Sequence, residues 1–159
     1  CRDIGLYLGC GAHMQELRRT RAGPFSEDNS CTLLDLYEAL KRYQENGDES
    51  YLRSILRPVE EAVAYLPKIY LLDTAVDAIC HGANLAVAGV AKLEDAVKRG
   101  SVVAMMTLKN ELVALGRGKA DAHEILEMDR GIVVDTKRVI MKRGTYPSIW
   151  KGGRRSLKL

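Results

Sequence analysis

The sequence predicts an α+β fold, in which a helical first part precedes a small, closed or nearly closed β barrel. Residues 26–66 place apolar side chains at the spacing of amphipathic helices. Residues 79–116 instead form short apolar runs, separated by glycines where a backbone would turn or approach another chain closely. Helical and strand periodicities thus occupy successive parts of the chain, and we place the boundary between them at Pro67.

The chain opens on the last turns of a helix. Residues 2–8 carry Ile and Leu side chains, and the glycines at 9 and 11 predict the end of this helix. From Met14 to Ala22 the alternation of Arg and Thr predicts a strand with one wet face. Because the chain begins in mid-element, we interpret it as a fragment and expect this strand to lack its neighbours, as an open edge.

Three helices are predicted between residues 26 and 66. Ser30 is the expected N-cap of the first, and the Asn46-Gly47-Asp48 sequence ends it. Pro58 suits the first turn of the third, where Glu60 and Glu61 would face the positive end of the helix. Adjacent residues point to different sides of a helix. We therefore interpret the two glutamates as dipole and solubility residues, not as an acid–base pair.

The pattern of the second part of the sequence, from Pro67 onward, predicts a barrel with two helices. Residues 102–108 and 112–115 are apolar on both faces, which is typical of strands inside a closed sheet. Gly82 is expected to end a helix that Asp73 caps. The other predicted elements are strands at residues 68–72, 85–87, 90–93 and 132–141 and a helix at residues 121–128, capped by Asp121.

Composition narrows the class of protein. The 159 residues are 47% hydrophobic, enough for a core, yet no apolar run reaches the roughly 18 residues of a membrane helix. The four cysteines include no C-x-x-C pair, so we expect no metal site and free thiols in a reducing compartment. We also expect no cofactor and a cytoplasmic location.

Charge is distributed unevenly along the chain. The formal net charge is only +3, but both ends are basic and the acids concentrate between Ser26 and Glu61. The basic residues of the last segment are Lys137, Arg138, Lys142, Arg143, Lys151, Arg154, Arg155 and Lys158. This distribution suits a surface that meets phosphate on one face, and a solubilising tail is the alternative.

Residues 79–116, ICHGANLAVAGVAKLEDAVKRGSVVAMMTLKNELVALG, resemble the PUA domain, an RNA-binding β pseudobarrel. They are most similar to the copy found in RNA pseudouridine synthases of the dyskerin type. The resemblance implies a PUA domain at residues 67–150, followed by a basic tail at 151–159.

A second stretch, CRDIGLYLGCGAHMQELRRTRAGPF at residues 1–25, is similar to the C-terminal end of the catalytic domain in the family of tRNA pseudouridine synthase B and dyskerin. Residues 1–66 are then the end of that catalytic domain. The family places a leucine of its L-R-R element against the target uridine, which falls on Leu17 beside Arg18 and Arg19. An ordinary core leucine is the alternative for Leu17.

The resemblance also implies an RNA-binding surface on the PUA domain, which in the family holds an ACA or CCA-type single strand. Carried over by motif, the contact residues are His81, Gly82, Ala83, Asn84, Gly89, Lys92, Arg138, Lys142, Arg143 and Tyr146, and with them Arg18 and Arg19. The implied partners are H/ACA guide RNA, rRNA or tRNA, and small accessory proteins of an H/ACA ribonucleoprotein. For His81 alone, a role in ending the helix is the alternative.

The resemblance implies isomerisation of uridine to pseudouridine, by a catalytic aspartate in a G-x-L-D-P-like loop. None of the aspartates has that context, so we expect this chain alone to be inactive. A free-standing RNA-binding adaptor without catalysis is the alternative function. Trp150 and the tail have no assignable partner.

Overall fold

The computed structural model describes residues 1–148, so the predicted basic tail and Trp150 lie outside the described part. The chain divides into two compact units, Cys1–Arg57 and a second that begins at Pro58. Helices and strands are both present, which confirms the predicted α+β class. Among residues 1–148, no helix has both the length and the apolar run that crossing a membrane requires.

The first unit begins with helix α1 (Arg2–Leu8), which ends at Gly9 as predicted. The strand predicted at Met14–Ala22 is wrong for most of its length. Residues 11–20 have no regular structure, and only β1 (Arg21–Ala22) pairs, antiparallel with β2 (Phe25–Ser26). Strand geometry needs a ladder of backbone hydrogen bonds, and within the described chain no strand lies against residues 11–20.

Helix α2 (Leu33–Asn46) begins two residues later than its predicted cap implied. Thr32 is the N-cap, because its hydroxyl accepts from the Asp35 amide at 3.2 Å while the Asp35 carboxylate accepts from the Thr32 amide at 2.8 Å. The Ser30 hydroxyl instead donates to the Glu27 carbonyl at 2.6 Å, closing a short 3-10 turn. Gly47 ends α2 as predicted, and α3 (Ser50–Ile55) follows.

The assignment of Thr32, and not Ser30, as the N-cap of α2 can be tested with a matched control. The hydrogen bonds from Thr32 hold the pKa of the Asp35 carboxyl below its usual value. Replacing Thr32 by alanine should raise that pKa toward the ordinary value and destabilise the start of α2 by about 1 kcal/mol. Because the folded pKa is depressed, the contribution of Asp35 to stability is present above the unfolded pKa and lost as pH falls through the folded one. Carbon-13 NMR titration of Asp35 measures the change, and Ser30→Ala should leave it unchanged. An equal shift in both variants would contradict the assignment of Thr32 as the cap.

The second unit is built on a six-stranded sheet. Its strands in chain order are β3 (Lys68–Leu71), β4 (Leu85–Ala86), β5 (Val90–Leu93), β6 (Val102–Thr107), β7 (Leu112–Gly118) and β8 (Ile132–Val139). They lie in the order β4-β8-β7-β6-β3-β5, in which only β3 and β6 run parallel. The two edge strands, β4 and β5, are joined through the 3-10 turn Val87–Gly89, so the sheet curls into a nearly closed pseudobarrel. This confirms the predicted architecture.

Both faces of the central strands are buried, as predicted for β6 and β7. One face holds the main core, with Ile69, Met105 and Val113 at 0% exposure. On the other face Ala104, Met106 and Leu112 pack with Val63, just after helix α4 (Val59–Ala62). The compact units therefore divide before α4, ahead of the boundary that we predicted at Pro67.

Strand β7 is longer than predicted and runs through Gly116 to Gly118. A β-carbon on Gly116 would lie 2.3 Å from Val134 Cγ1 and 2.8 Å from the Asp135 carbonyl oxygen. Glycine is needed there because β8 crosses too closely for any side chain.

Glu60 has a role that its sequence position does not indicate. Its Oε1 accepts from the Leu112 amide of β7 at 2.9 Å, across 52 residues of sequence. The prediction that Glu60 serves only the helix dipole and solubility was therefore wrong, since it joins α4 to the hairpin of β6 and β7.

Two further helices cover the barrel. Helix α5 (Asp73–Cys80) follows β3, and Asp121 caps α6 (Ala122–Glu127) as predicted. Asp73 is the first residue of α5, while the N-cap position is Leu72. The buried side chains of α5 are Val76, Ile79 and Cys80, which fixes the loop after this helix against the barrel.

Candidate nucleic-acid interface

The loop between α5 and β4 presents open backbone. Helix α5 ends at Cys80 with His81 as its C-cap, and Gly82 has a φ of 89°, a conformation that disfavours any other residue. No atom lies within 4 Å of where a Gly82 side chain would stand. The sequence therefore produces a glycine turn whose main chain a ligand can approach.

The same loop is tied to the last strand. The Thr136 amide donates to Asn84 Oδ1 at 3.0 Å, and the Thr136 hydroxyl donates to the Ala83 carbonyl at 2.7 Å. These bonds span more than 50 residues of sequence, and they fix residues 83–84 on β8. The structure thus brings together the predicted loop, His81 to Asn84, and the strand that carries Arg138.

Two adjoining clefts follow the outer face of α5. The first, which we call the loop cleft, has a volume of about 640 Å³ and is lined by Thr74, Asp77, Ala78, His81, Gly82, Ala83 and Ser148. The second, the alanine cleft, measures about 440 Å³ and extends to Ala86, Ala88 and Gly89. They share the lining residues Thr74, Ala78 and Ala83, so the two clefts adjoin along α5, and we call them together the groove. Volumes of about 300–1,000 Å³ are typical of small-ligand sites.

Gly89, which also lines this groove, is a glycine because a side chain there would collide with its neighbours. A β-carbon there would come within 2.9 Å of the Ala75 β-carbon and 3.0 Å of Leu85 Cδ1. The absence of a side chain at Gly89 therefore lets the chain pack on α5, while at Gly82 it leaves open space. The two glycines line the same groove but serve it differently.

His81 is oriented by its own helix. Its Nδ1 lies 2.8 Å from the Asp77 carbonyl oxygen. A carbonyl only accepts, so Nδ1 carries the proton, and Nε2 is an acceptor in the neutral ring. The Asp77 carboxylate lies 3.6 Å from Nδ1, with a side chain only 13% exposed. Together with burial, the charge of Asp77 raises the pKa of the Cys80 thiol, burial being the larger cause.

The chain after β8 returns to the loop cleft. Lys142 and Arg143 are exposed, and the carbonyl of Lys142 accepts from the Thr145 hydroxyl at 2.7 Å in a turn that contains Gly144. Ser148 lines the loop cleft. Tyr146 is two residues earlier, and therefore within about 8 Å of Ser148 along the backbone.

Tyr146 is held in place by side chains of the β6–β7 hairpin. Its hydroxyl donates to Glu111 Oε2 at 2.9 Å, the same oxygen that accepts from the Thr107 hydroxyl at 3.2 Å. The Lys109 ammonium lies 5.9 Å from the centre of the Tyr146 ring. Burial and the bond to Glu111 raise the pKa of the Tyr146 phenol. These contacts anchor the segment that leads to Ser148.

We expect Glu111→Gln to lower the pKa of Tyr146, because the acceptor loses its charge while burial is unchanged. Tyr146→Phe should cost about 1 kcal/mol of unfolding free energy through the lost hydrogen bond. NMR titration of labelled tyrosine and denaturant unfolding measure the two effects. Glu127→Gln removes an equal charge at an exposed position and is the control. An unchanged Tyr146 pKa in Glu111→Gln would show that Glu111 does not hold the ring.

Other predicted contact residues lie elsewhere. Lys92 lines a different cleft, with Val90 and Ile125, and its ammonium lies 5.4 Å from the centre of the Tyr70 ring. In the first unit, Leu17 is 70% exposed, so it is not a core leucine there. Arg18 Nε contacts Glu27 Oε2 at 2.8 Å, and Arg19 is exposed.

Sequence reasoning missed Asp77 and Ser148, which line the loop cleft, and Thr136, which ties the loop to β8. Asp77 stands four positions before His81, a spacing that puts both on one helix face, and this signal was available. Thr136 and Ser148 carry no such signal, because their roles depend on long-range packing. No group of three or more metal-binding side chains occurs within residues 1–148.

Comparison with known proteins agrees with both resemblances. Residues 1–64 match the tRNA pseudouridylate synthase B C-terminal domain, and residues 67–140 match the PUA domain. The probable tRNA pseudouridine synthase B of Archaeoglobus fulgidus is 59% identical over 151 residues, which cover 95% of this chain and 46% of that protein. The one from Methanopyrus kandleri is 57% identical over 150 residues, covering 94% of this chain and 44% of the relative.

Solved structures agree. A chain of the archaeal box H/ACA sRNP Nop10–Cbf5 complex is 51% identical, with a TM-score of 0.83 over 94% of this chain and 48% of its own length. An H/ACA RNP bound to a substrate RNA gives a TM-score of 0.81 at 51% identity, over 94% of this chain and 47% of that chain. The chain therefore spans about half the length of the relatives it matches. In sequence and in structure, the chain is a homologue of archaeal tRNA pseudouridine synthase B and Cbf5 over about half of their length, and it contains the tRNA pseudouridylate synthase B C-terminal domain and the PUA domain.

Proposed function

We propose that this chain is the RNA-binding part of an RNA pseudouridine synthase, in which the PUA domain holds an ACA or CCA-type single strand. The observation that carries the proposal is the groove of two adjoining clefts beside the glycine loop at residues 81–84. The cations of β8 and its following turn belong to the same unit. The names of the relatives support a synthase. No observation supports the alternative of a free-standing adaptor.

The groove and the cations suit different parts of a single strand. Arg138, Lys142 and Arg143 are exposed and would hold phosphates, which position the strand without reading its sequence. The groove has open backbone at Gly82 and small side chains along its floor, so unstacked bases would enter there. We propose Leu17, Arg18 and Arg19 for contact with the target uridine and its strand. Lys92 lies outside the groove, with its ammonium over the Tyr70 ring, and would hold a phosphate of the strand beyond the groove.

The proposed partners are H/ACA guide RNA, rRNA or tRNA, together with small accessory proteins of an H/ACA ribonucleoprotein. Support comes from the solved relatives, whose complexes contain Nop10, Gar1 or a substrate RNA. We propose Pro67 as the start of the PUA domain, with α4 packed against its sheet. We place the protein in the cytoplasm, and the four free cysteines, Cys1, Cys10, Cys31 and Cys80, suit a reducing compartment.

Fluorescence anisotropy with an ACA-ended single strand and a scrambled strand of equal length tests this function. We expect tighter binding of the ACA-ended strand, with an affinity that falls steeply as salt rises. Equal affinities for the two strands, or an affinity independent of salt, would contradict the proposal.

Catalysis is expected to need residues that this chain does not contain. We predict no pseudouridine when the 159-residue chain alone is incubated with uridine-containing RNA, since no aspartate stands in the loop context that the family uses. Mass-spectrometric analysis of the RNA, after derivatisation that labels pseudouridine, measures this. Any turnover by the pure chain would overturn the assignment.

A further inference from the structure

The loop between α5 and β4 is exposed along its whole length, residues 81–84. Its two ends are fixed, because Ile79 and Cys80 before it and Leu85 after it are no more than 2% exposed. At Gly82 no atom lies within 4 Å of the position that a side chain would take. Hydrogen bonds, and not buried side chains, must therefore hold the loop in its observed shape.

The first half of the loop is bonded to its own helix. The Gly82 amide donates to the Ile79 carbonyl at 2.8 Å, and the Ala83 amide donates to the Ala78 carbonyl at 3.1 Å. Such bonds are usual where a helix ends on a left-handed glycine. They satisfy carbonyls of α5, but they leave the carbonyl of Ala83 and the side chain of Asn84 to other partners.

The second half of the loop is bonded to β8 through one residue, Thr136. Leu85 of β4 pairs with Val134 of β8, so a regular antiparallel ladder would continue with Ala83 opposite Thr136. Side chains replace the backbone bonds at that position. The Thr136 amide donates to Asn84 Oδ1 at 3.0 Å, and the Thr136 hydroxyl donates to the Ala83 carbonyl at 2.7 Å. Thr136 thus holds two adjacent residues of the loop.

Thr136 is placed to act through the loop and not on a ligand. Ala83 lines both clefts of the groove and Asn84 lines the alanine cleft, whereas Thr136 is not among the described residues that line either one. We propose that Thr136 is a positioning residue, which holds the loop in its binding shape before RNA is bound. This inference rests on the proposed function and adds to it how the binding surface is preorganised.

Preorganisation affects affinity through conformational entropy. A loop that is exposed and lacks its anchor must be ordered by the ligand, and the lost backbone freedom is subtracted from the binding free energy. Removing the Thr136 hydroxyl takes away one of its two bonds to the loop and keeps the bond from its amide. We therefore expect a partial loss of affinity, about three- to tenfold, and not a complete one.

The test compares Thr136→Val with Thr136→Ser in the full chain. Valine removes the hydroxyl but keeps a β-branched side chain that suits a strand, while serine keeps the hydroxyl. Anisotropy with the ACA-ended strand should show the affinity loss in Thr136→Val and a recovery of most of it in Thr136→Ser. The slope of log affinity against log salt should be the same in both, because neither substitution removes a phosphate contact.

Ser101→Ala is the matched control. The Ser101 hydroxyl donates to the Lys98 carbonyl at 2.6 Å, so this variant also removes a bond from a hydroxyl to a backbone carbonyl in the same unit. We expect it to keep the affinity of the unmodified chain. Nitrogen-15 relaxation of the free chain reports on the loop directly, and the order parameters of Gly82 to Asn84 should fall in Thr136→Val but not in the control.

Three outcomes overturn the inference and leave RNA binding by the unmodified chain intact. The first is a looser loop in Thr136→Val with undiminished affinity, which would show that the shape of the loop does not determine binding. The others are an equal loss in Thr136→Val and Ser101→Ala, and a loss that Thr136→Ser does not restore. If the unmodified chain does not bind the strand, the proposed function itself fails and this inference fails with it.

Discussion

Replacing Ile69 by alanine is expected to lower the free energy of unfolding of the second unit by about 2–5 kcal/mol. Ile69 is 0% exposed and lies on β3, where it is opposite Leu93 of β5 and Met105 of β6. Truncation removes buried methyl groups and leaves a cavity between strands that are packed on both sides, where the surroundings cannot collapse. Denaturant unfolding followed by circular dichroism measures the loss.

The chain offers a control of the same residue type. Ile132 begins β8 and is 47% exposed, so Ile132→Ala should cost less than about 1 kcal/mol. If the two variants were equally destabilised, the core would not lie where the sheet places it.

Replacing Arg138, Lys142 and Arg143 together by glutamine is expected to weaken binding of single-stranded RNA by about 100-fold at about 0.1 M salt. Each cation that contacts a phosphate of a single strand contributes about 0.7 to the slope of log affinity against log salt, so three contribute about 2. Anisotropy at several salt concentrations gives the affinity and the slope.

The matched control removes three positive charges from α2 and α3, with Lys41, Arg42 and Arg53 replaced by glutamine. These side chains contact Glu45, Tyr51 and Glu49 within the first unit. We expect the control to keep most of the affinity and the slope. A control as weak as the test variant would mean that net charge alone drives binding, and the proposed contact surface would be wrong.

Sequence reasoning succeeded where local signals decide the structure. Asp121 as a helix cap and Gly82 as a helix end were placed correctly because capping and left-handed backbone depend on a few adjacent residues. The buried hairpin of β6 and β7 was evident from apolar residues on both faces. It was less successful in choosing the N-cap of α2, for which both Ser30 and Thr32 are plausible. Only Thr32 is followed three residues later by an acid, Asp35, which completes the capping box.

The larger failures involve contacts between distant residues. A strand at Met14–Ala22 needed a partner strand, which the alternation of residues does not specify. Glu60 was assigned to its own helix, although its acceptor oxygen contacts β7. The groove was only half predicted, because the recognised loop motif contained His81 and Gly82 but not Asp77 or Ser148. Ser148 lies far from α5 in sequence, and only the fold brings it beside that helix.

The central claim is that the loop after α5 and the segment after β8 form one surface for single-stranded RNA. Titration of the nitrogen-15-labelled chain with an ACA-ended strand, followed by amide NMR, tests it directly. The account predicts that amides of His81 to Asn84 and of Lys142 to Ser148, except Pro147, shift together along one binding curve. Shifts confined to other surfaces, or two segments that respond with different affinities, would contradict it.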